Sequence, residues 1–274
     1  MSVLGPSVVV MNERRPDTLP LWDDDEWHDG ERRDGPGQAD EPAPAPTPEW
    51  AHRLGVFDLE TTGVDVAGDR IVTAHVGVLA ADGTAISART WLADPGVPIP
   101  AAASEVHGIT TAHARASGRP AREVVAEIID ALRELFAQGI PVVAYNAPFD
   151  FSLLRHEALR HGIPPIDDPA PVIDPLVVDK RVDRFRKGKR TLEAVAQHYA
   201  VPLDGAHDAS ADATAAGRVA QAIASRFELP ASALDLHAEQ VGWAQEQSAS
   251  LTEYLVRVGR LDPAEELDGS WPIR

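Results

Sequence analysis

An α/β domain built around a mixed central β-sheet flanked by helices is the fold class predicted here, on three observations. Residues 53–92 hold three strand-like stretches in succession, residues 122–227 alternate strand and helical periods, and 44% of the 274 residues are apolar. Arg53-Leu54-Gly55-Val56-Phe57-Asp58-Leu59 reads as a strand running into a turn at Thr62-Gly63. Further strands are expected at 71–79 and 85–92, joined by Asp82-Gly83, a pair that tolerates the positive φ of a hairpin turn. After the Pro-rich loop 94–100 comes a short helical piece at 101–106. Residues 122–137 place Val124, Val125, Ile128, Ile129, Leu132, Leu135 and Phe136 at helical spacing. A buried strand follows at 141–145, then a helix over 149–161 that Gly162 stops, and later helices at 191–199 and 209–227. Asp174 before Pro175 reads as the cap of one more helix.

The chain divides into three parts by charge. Its formal charge is −18, from 43 acidic and 25 basic residues. Residues 1–50 carry 12 acids and 4 bases, and prolines at every second position of Pro42-Ala43-Pro44-Ala45-Pro46 forbid a regular element. This part is expected to be a disordered acidic tail, with Leu19, Leu21, Trp22 and Trp27 as candidate anchors for a protein partner. Residues 51–226 read as the globular domain, and 227–274 as a C-terminal helical extension. Within the extension, a helix over 234–258 puts Leu236, Val241, Trp243, Ala244, Leu251, Tyr254, Leu255 and Val258 mostly on one broad face. That face needs a cover, which its own domain or a second copy can supply; the oligomeric state stays open. With no cysteine, a disulfide scaffold, a thiolate metal site and a cysteine nucleophile are excluded. Val8-Val9-Val10 is too short for a signal-peptide core, and no run of about 18 apolar residues occurs, so a cytoplasmic protein without a membrane partner is expected. Taken as one number, the acidity argues against nucleic acid as a partner. Taken by parts it does not, because less than a third of it belongs to the globular domain.

Four carboxylates carry the chemistry. Asp58 and Glu60 sit at a strand end in i and i+2 positions, so they point to one face. Such a pair repels itself unless a positive charge intervenes. Asp150 opens the helix after the buried strand, in Asn146-Ala147-Pro148-Phe149-Asp150, and Asp212 lies on a late helix five residues after His207. Carboxylates without thiolates suit hard cations such as Mg²⁺ or Mn²⁺. A basic run follows the third carboxylate, with Lys180, Arg181, Arg184, Arg186, Lys187, Lys189 and Arg190 interrupted by only one acid, Asp183.

Val56-Phe57-Asp58-Leu59-Glu60-Thr61-Thr62-Gly63, Val106-His107-Gly108-Ile109-Thr110, Tyr145-Asn146-Ala147-Pro148-Phe149-Asp150 and His207-Asp208-Ala209-Ser210-Ala211-Asp212 resemble, in order, the motifs of the DEDDh 3′-to-5′ exonucleases. This group contains the proofreading epsilon subunit of bacterial DNA polymerase III, ribonuclease T and oligoribonuclease. Tyr145 stands where many relatives have His, and the C-terminal Gly269-Ser270-Trp271-Pro272-Ile273-Arg274 resembles an extension of actinobacterial members. The resemblance implies a ribonuclease H-like fold, two bound Mg²⁺ or Mn²⁺ ions, and release of nucleoside 5′-monophosphates from a single-stranded nucleic acid with a free 3′ end, DNA or RNA.

It also implies roles. Asp58, Glu60, Asp150 and Asp212 hold the two ions, which activate a water and stabilise the leaving oxygen. His207 is the general base, since an imidazole with a pKa of roughly 6.5 is free to take a proton at neutral pH. His107 and Ile109 flank a glycine that lets backbone approach the terminal nucleotide. Leu59, Thr61, Asn146 and Phe149 line its pocket, and Arg186 and Lys189 of the basic run are the phosphate contacts, with Phe185 a stacking surface or an anchor for the loop. A polymerase or another protein is a candidate partner for the tails. The competing class is an accessory module that binds strand ends or a polymerase without cleaving; the full set of four carboxylates and His207 argues against it.

Overall fold

The computed structural model describes residues 47–203 and 207–274. The acidic tail and its candidate anchors therefore lie outside the described residues up to position 46. The sheet has six strands in the order β4-β3-β2-β1-β5-β6, made of β1 (Arg53–Thr61), β2 (Ile71–Ala80), β3 (Ala85–Asp94), β4 (Arg119–Pro120), β5 (Val142–Val143) and β6 (Val172–Ile173). β1, β2 and β3 form the expected antiparallel meander. β5 and β6 continue the sheet parallel to β1, and β4 adds to β3, so the sheet is mixed. The helices are α1 (Ala101–His107), α2 (Thr111–Ser117), α3 (Ala121–Ala137), α4 (Ala147–Arg160), α5 (Pro175–Val182), α6 (Leu192–His198), α7 (Ala209–Arg226) and α8 (Ala233–Arg257).

The alternation along β1 sets the layers. Val56, Asp58 and Glu60 share one face, and Gly55, Phe57 and Leu59 the other. α7 covers the first face at close range: a Cβ on Gly217 would come within 2.5 Å of Val56 Cγ1 and 2.7 Å of Leu79 Cδ1. α3 and α4 cover the second. Phe57 meets Phe151 of α4 edge to face with centroids 5.4 Å apart, and α3 buries Val124, Val125, Ile128, Ile129, Leu132 and Leu135. Each such side chain contributes about 1.5–3 kcal/mol of burial.

The strand expected over 141–145 is shorter, because the chain turns at Asn146, whose φ of 62° ends the extended run and starts α4 at Ala147. β6, β4 and α2 were not anticipated; strands of two residues are too short to show a period. The C-terminal helix forms as expected and is capped by the Ser232 hydroxyl. It buries Leu236, Gln240, Trp243, Ala244 and Leu255, with Gln247 donating to the Val177 carbonyl of α5 at 2.9 Å and Arg181 lying over the Trp243 ring. Its own chain thus covers Leu236, Trp243, Ala244 and Leu255 of the expected face, while Val241, Leu251 and Tyr254 are half-buried and Val258 is exposed. Among the described residues, no helix is long and apolar enough to cross a membrane.

Candidate active site

Three elements bring the predicted carboxylates together. Asp58 and Glu60 project from the end of β1 toward α7, whose first turn carries Asp212. One oxygen from each lies within 4.8 Å of the others. Asp150 approaches from α4 and is buried, and its Oδ1 accepts the Leu59 amide, between Asp58 and Glu60, at 3.1 Å. His207, at φ 67°, donates its N–H to Asp212 Oδ2 at 3.2 Å. The other oxygen, Asp212 Oδ1, is buried without a hydrogen-bond partner among the described residues.

The electrostatics run one way. Burial pushes Asp58 well above the usual carboxylate range, and Asp150, Glu60, Asp212 and Asp208 push it further. Burial, then Asp212 and Asp208, raise Glu60 to about 8. Asp150 is also raised well, by burial, with the Leu59 amide opposing. Asp212 is raised by burial, against the His207 amide and the His207 ring. Four carboxylates forced upward together, with one oxygen that has no donor among the described residues, make a site that a divalent cation could relieve.

The neighbouring predicted residues gather at the same end of β1. Gly108, at φ 75°, ends α1, and the Ile109 amide donates to His107 Nδ1 at 3.1 Å. Burial lowers the His107 pKa, with the Thr61 carbonyl opposing. Ile109 packs on the small cluster of Val72, Ile99 and Ala114. Leu59 is buried and the Thr61 hydroxyl donates to the Gly63 carbonyl at 2.6 Å. Asn146 and Phe149 stand half-buried at the start of α4.

The RNase_T family model, described as an exonuclease, matches residues 56–220, more than half of the chain. The chain belongs to this exonuclease family. It is 33% identical over 164 residues to a DNA polymerase III PolC-type of Streptococcus agalactiae, covering 60% of this chain and 10% of that protein. It is 33% identical over 183 residues to a DNA polymerase III subunit epsilon-like protein of Rhodobacter capsulatus, covering 65% of this chain and 25% of that one. The chain thus spans only a small part of these curated relatives. In fold it is similar to E. coli exonuclease I in complex with a dT13 oligonucleotide, with a TM-score of 0.53, 22% identity, and coverage of 64% of this chain and 41% of that chain. The zinc-bound form of an exonuclease I–ssDNA complex gives a TM-score of 0.54 at 20% identity, over 75% of this chain and 44% of that chain. The fold of this chain is ribonuclease H-like.

The basic run of this chain is split by a buried acid. Asp179, fully buried, takes ion pairs from Arg190 and, at 2.6 Å, from Arg186, and a hydrogen bond from the Tyr199 hydroxyl at 2.9 Å. Arg186 also pairs with Asp183 at 3.1 Å. Its guanidinium is therefore turned inward, where the sequence placed it among the outward phosphate contacts. Arg184, Lys187 and Lys189 are exposed, and Phe185 between them is 90% exposed. The Tyr145 hydroxyl donates to the Arg190 carbonyl at 2.6 Å, tying the loop to the segment that leads into Asp150.

Two residues near the site had no legible signal, and a third does more than its signal told. Asp208 caps α7 through the Ser210 and Ala211 amides and adds to the field on Asp58, Glu60 and Asp212. His75 pairs across β2 with Asp58; it is buried, 3.0 Å from Thr90 Oγ1, and burial lowers its pKa with Asp208 opposing. Only strand register reveals it. Asp174 is the cap expected for α5, accepting the Leu176 amide at 2.9 Å, but it also accepts the Asn146 and Ala147 amides, each at 3.0 Å.

Proposed function

We propose that this chain is a metal-dependent 3′-to-5′ exonuclease that hydrolyses single-stranded nucleic acid from a free 3′ hydroxyl and releases nucleoside 5′-monophosphates. The observation that carries the reading is the cluster of Asp58, Glu60 and Asp212, with one carboxylate oxygen of each within 4.8 Å of the others, and Asp150 held beside it on the Leu59 amide. Mg²⁺ or Mn²⁺ ions, two by the family resemblance, would suit this all-carboxylate set, and Asp58, Glu60, Asp150 and Asp212 would hold them. When bound, such ions activate water and stabilise a leaving alkoxide.

The protein's own groups do the rest. His207, held by its amide on Asp212, takes the proton of the attacking water. Leu59, Thr61, His107 and Ile109, at the end of β1, receive the terminal nucleotide, with Asn146 and Phe149 opposite. Lys189, with Lys187, Arg184 and Phe185, receives the strand behind it, and Arg186 serves that surface by bracing the loop through Asp179. Residues 51–226 form the catalytic unit and 227–274 an extension packed on it. DNA is the first substrate to try, because exonuclease I, with the same fold, is solved with DNA oligonucleotides. The relatives named as polymerase subunits make a polymerase the first protein partner to test.

The test is mononucleotide release from matched 3′-hydroxyl DNA and RNA oligomers with Mg²⁺ or Mn²⁺. Release that Asp58→Ala and His207→Ala abolish supports the reading. No release with either metal, or full activity in Asp58→Ala, overturns it in favour of a module that binds ends without cleaving.

A further inference from the structure

α8 lies outside the residues matched by the exonuclease family model, yet it completes the sheet. β6 is the last strand in the order. Its inner edge gives the Pro171 and Ile173 carbonyls to the amides of Val142 and Ala144. Its outer edge presents the backbone groups of Val172 and Asp174, which an unpaired edge would leave without partners. Gln240, fully buried on α8, fills that edge as a neighbouring strand would. Its Oε1 accepts the Asp174 amide at 2.7 Å and its Nε2 donates to the Val172 carbonyl at 3.1 Å. His237 Nδ1 accepts the Val172 amide at 3.0 Å.

Asp174 passes this restraint to the active site. The backbone that Gln240 grips carries a carboxylate, 1% exposed, whose oxygens hold the Asn146 and Ala147 amides. Those amides open α4, and Asp150 follows within its first turn, where it grips the Leu59 amide. A second tie arrives independently: the Arg274 amide donates at 2.8 Å to the hydroxyl of Ser152, a fully buried residue two positions past Asp150.

We propose that Gln240 is a positioning residue for the metal site, and that the C-terminal segment of this chain sets the place of Asp150 through the line Gln240, Asp174, Asn146 and Ala147. The inference rests on the carboxylate site proposed above. Its consequence is that cation affinity and turnover depend on a glutamine remote from the substrate, while oligonucleotide binding does not.

The experiment uses the full chain, with Gln240→Met as the near-isosteric variant lacking both hydrogen bonds and Leu255→Ala as a control that loosens α8 elsewhere. Three quantities are measured: amide hydrogen exchange over residues 145–150 without metal, Mn²⁺ binding by calorimetry, and kcat against KM on a single-stranded 3′-hydroxyl oligonucleotide. Outer partners of metal ligands typically matter by about 10–100-fold. Gln240→Met should therefore speed exchange at Asn146 and Ala147, weaken Mn²⁺ binding and lower kcat, each about tenfold or more, with KM little changed. Leu255→Ala at a comparable Tm loss should do none of these. If Gln240→Met does not fold, Asp174→Asn breaks the same line and is read the same way. Equal behaviour of Gln240→Met and Leu255→Ala at matched Tm overturns the proposal while leaving the exonuclease reading intact. Wild-type protein that binds Mn²⁺ without cleaving defeats the exonuclease reading, and exchange and Mn²⁺ binding then still decide the role of Gln240.

Discussion

Two groups of carboxylates, one around the fully buried Asp179 and one in which Asp150 is buried and Asp58, Glu60 and Asp212 half-buried, are built on opposite principles. Asp179 is surrounded by its own cations, Arg186 and Arg190, and by the Tyr199 hydroxyl. Asp58, Glu60, Asp150 and Asp212 act mainly on one another, and among the described residues the donors from elsewhere in the chain are the backbone amides of Leu59 and His207. A buried charge whose counter-charge is covalently part of the chain is a fold element. One whose counter-charge must arrive from solution is a binding site, maintained at a cost to stability.

The most severe test of this contrast is removal of Asp58. Asp58→Ala should lower mononucleotide release by about three orders of magnitude or more, the several kcal/mol that charge stabilisation by metal supplies. Yet in chelator its Tm should rise, because one repelling carboxylate is gone. A lower Tm in chelator would break the comparison. His207→Ala comes next, with a loss of about 10²–10⁴ in kcat, measured by single-turnover release, and Mn²⁺ affinity close to wild type. Asp179→Ala should show the opposite signature: a loss of about 3–5 kcal/mol in urea unfolding, since two arginines lose a buried partner.

A pH scan sharpens the contrast further. Glu60 is raised to about 8 by burial and by Asp212 and Asp208. Its protonated form is favoured in the folded state, so the stability linked to it is present below its unfolded pKa and is lost as pH rises through about 8. The metal-free Tm should accordingly fall between about pH 5 and pH 8, and saturating Mn²⁺ should flatten the fall; a flat metal-free profile contradicts the arrangement. The smallest effect belongs to the exposed loop. Phe185→Ala should raise KM for a single-stranded oligomer about tenfold, in line with about 1–3 kcal/mol per stacked base, with kcat and Tm unchanged.

Which of the two groups was legible in sequence follows from the same contrast. The four carboxylates of the proposed metal site stand in ordered motifs on a strand end, a helix start and a late helix, so type, spacing and order marked them together. The Asp179 group has no such mark. Arg186 and Arg190 sit four apart within a run of bases, and composition reads all of them as outward charge. Only the turn after α5 reveals that two face inward. The same holds for Gln240, one polar residue on an amphipathic helix, whose partners are the backbone of a two-residue strand without a period. Long helices such as α3, α7 and α8 showed themselves because a wide apolar stripe repeats over many turns.

Gly217 has no side chain and no part in the chemistry, yet it sets the clearance between α7 and the sheet. One methyl group there would press on the Val56 and Leu79 side chains, and any outward shift of α7 that relieves it would carry Asp212 away from Asp58 and Glu60. Gly217→Ala, a neutral change far from any reacting atom, is therefore expected to weaken Mn²⁺ binding in an otherwise folded chain.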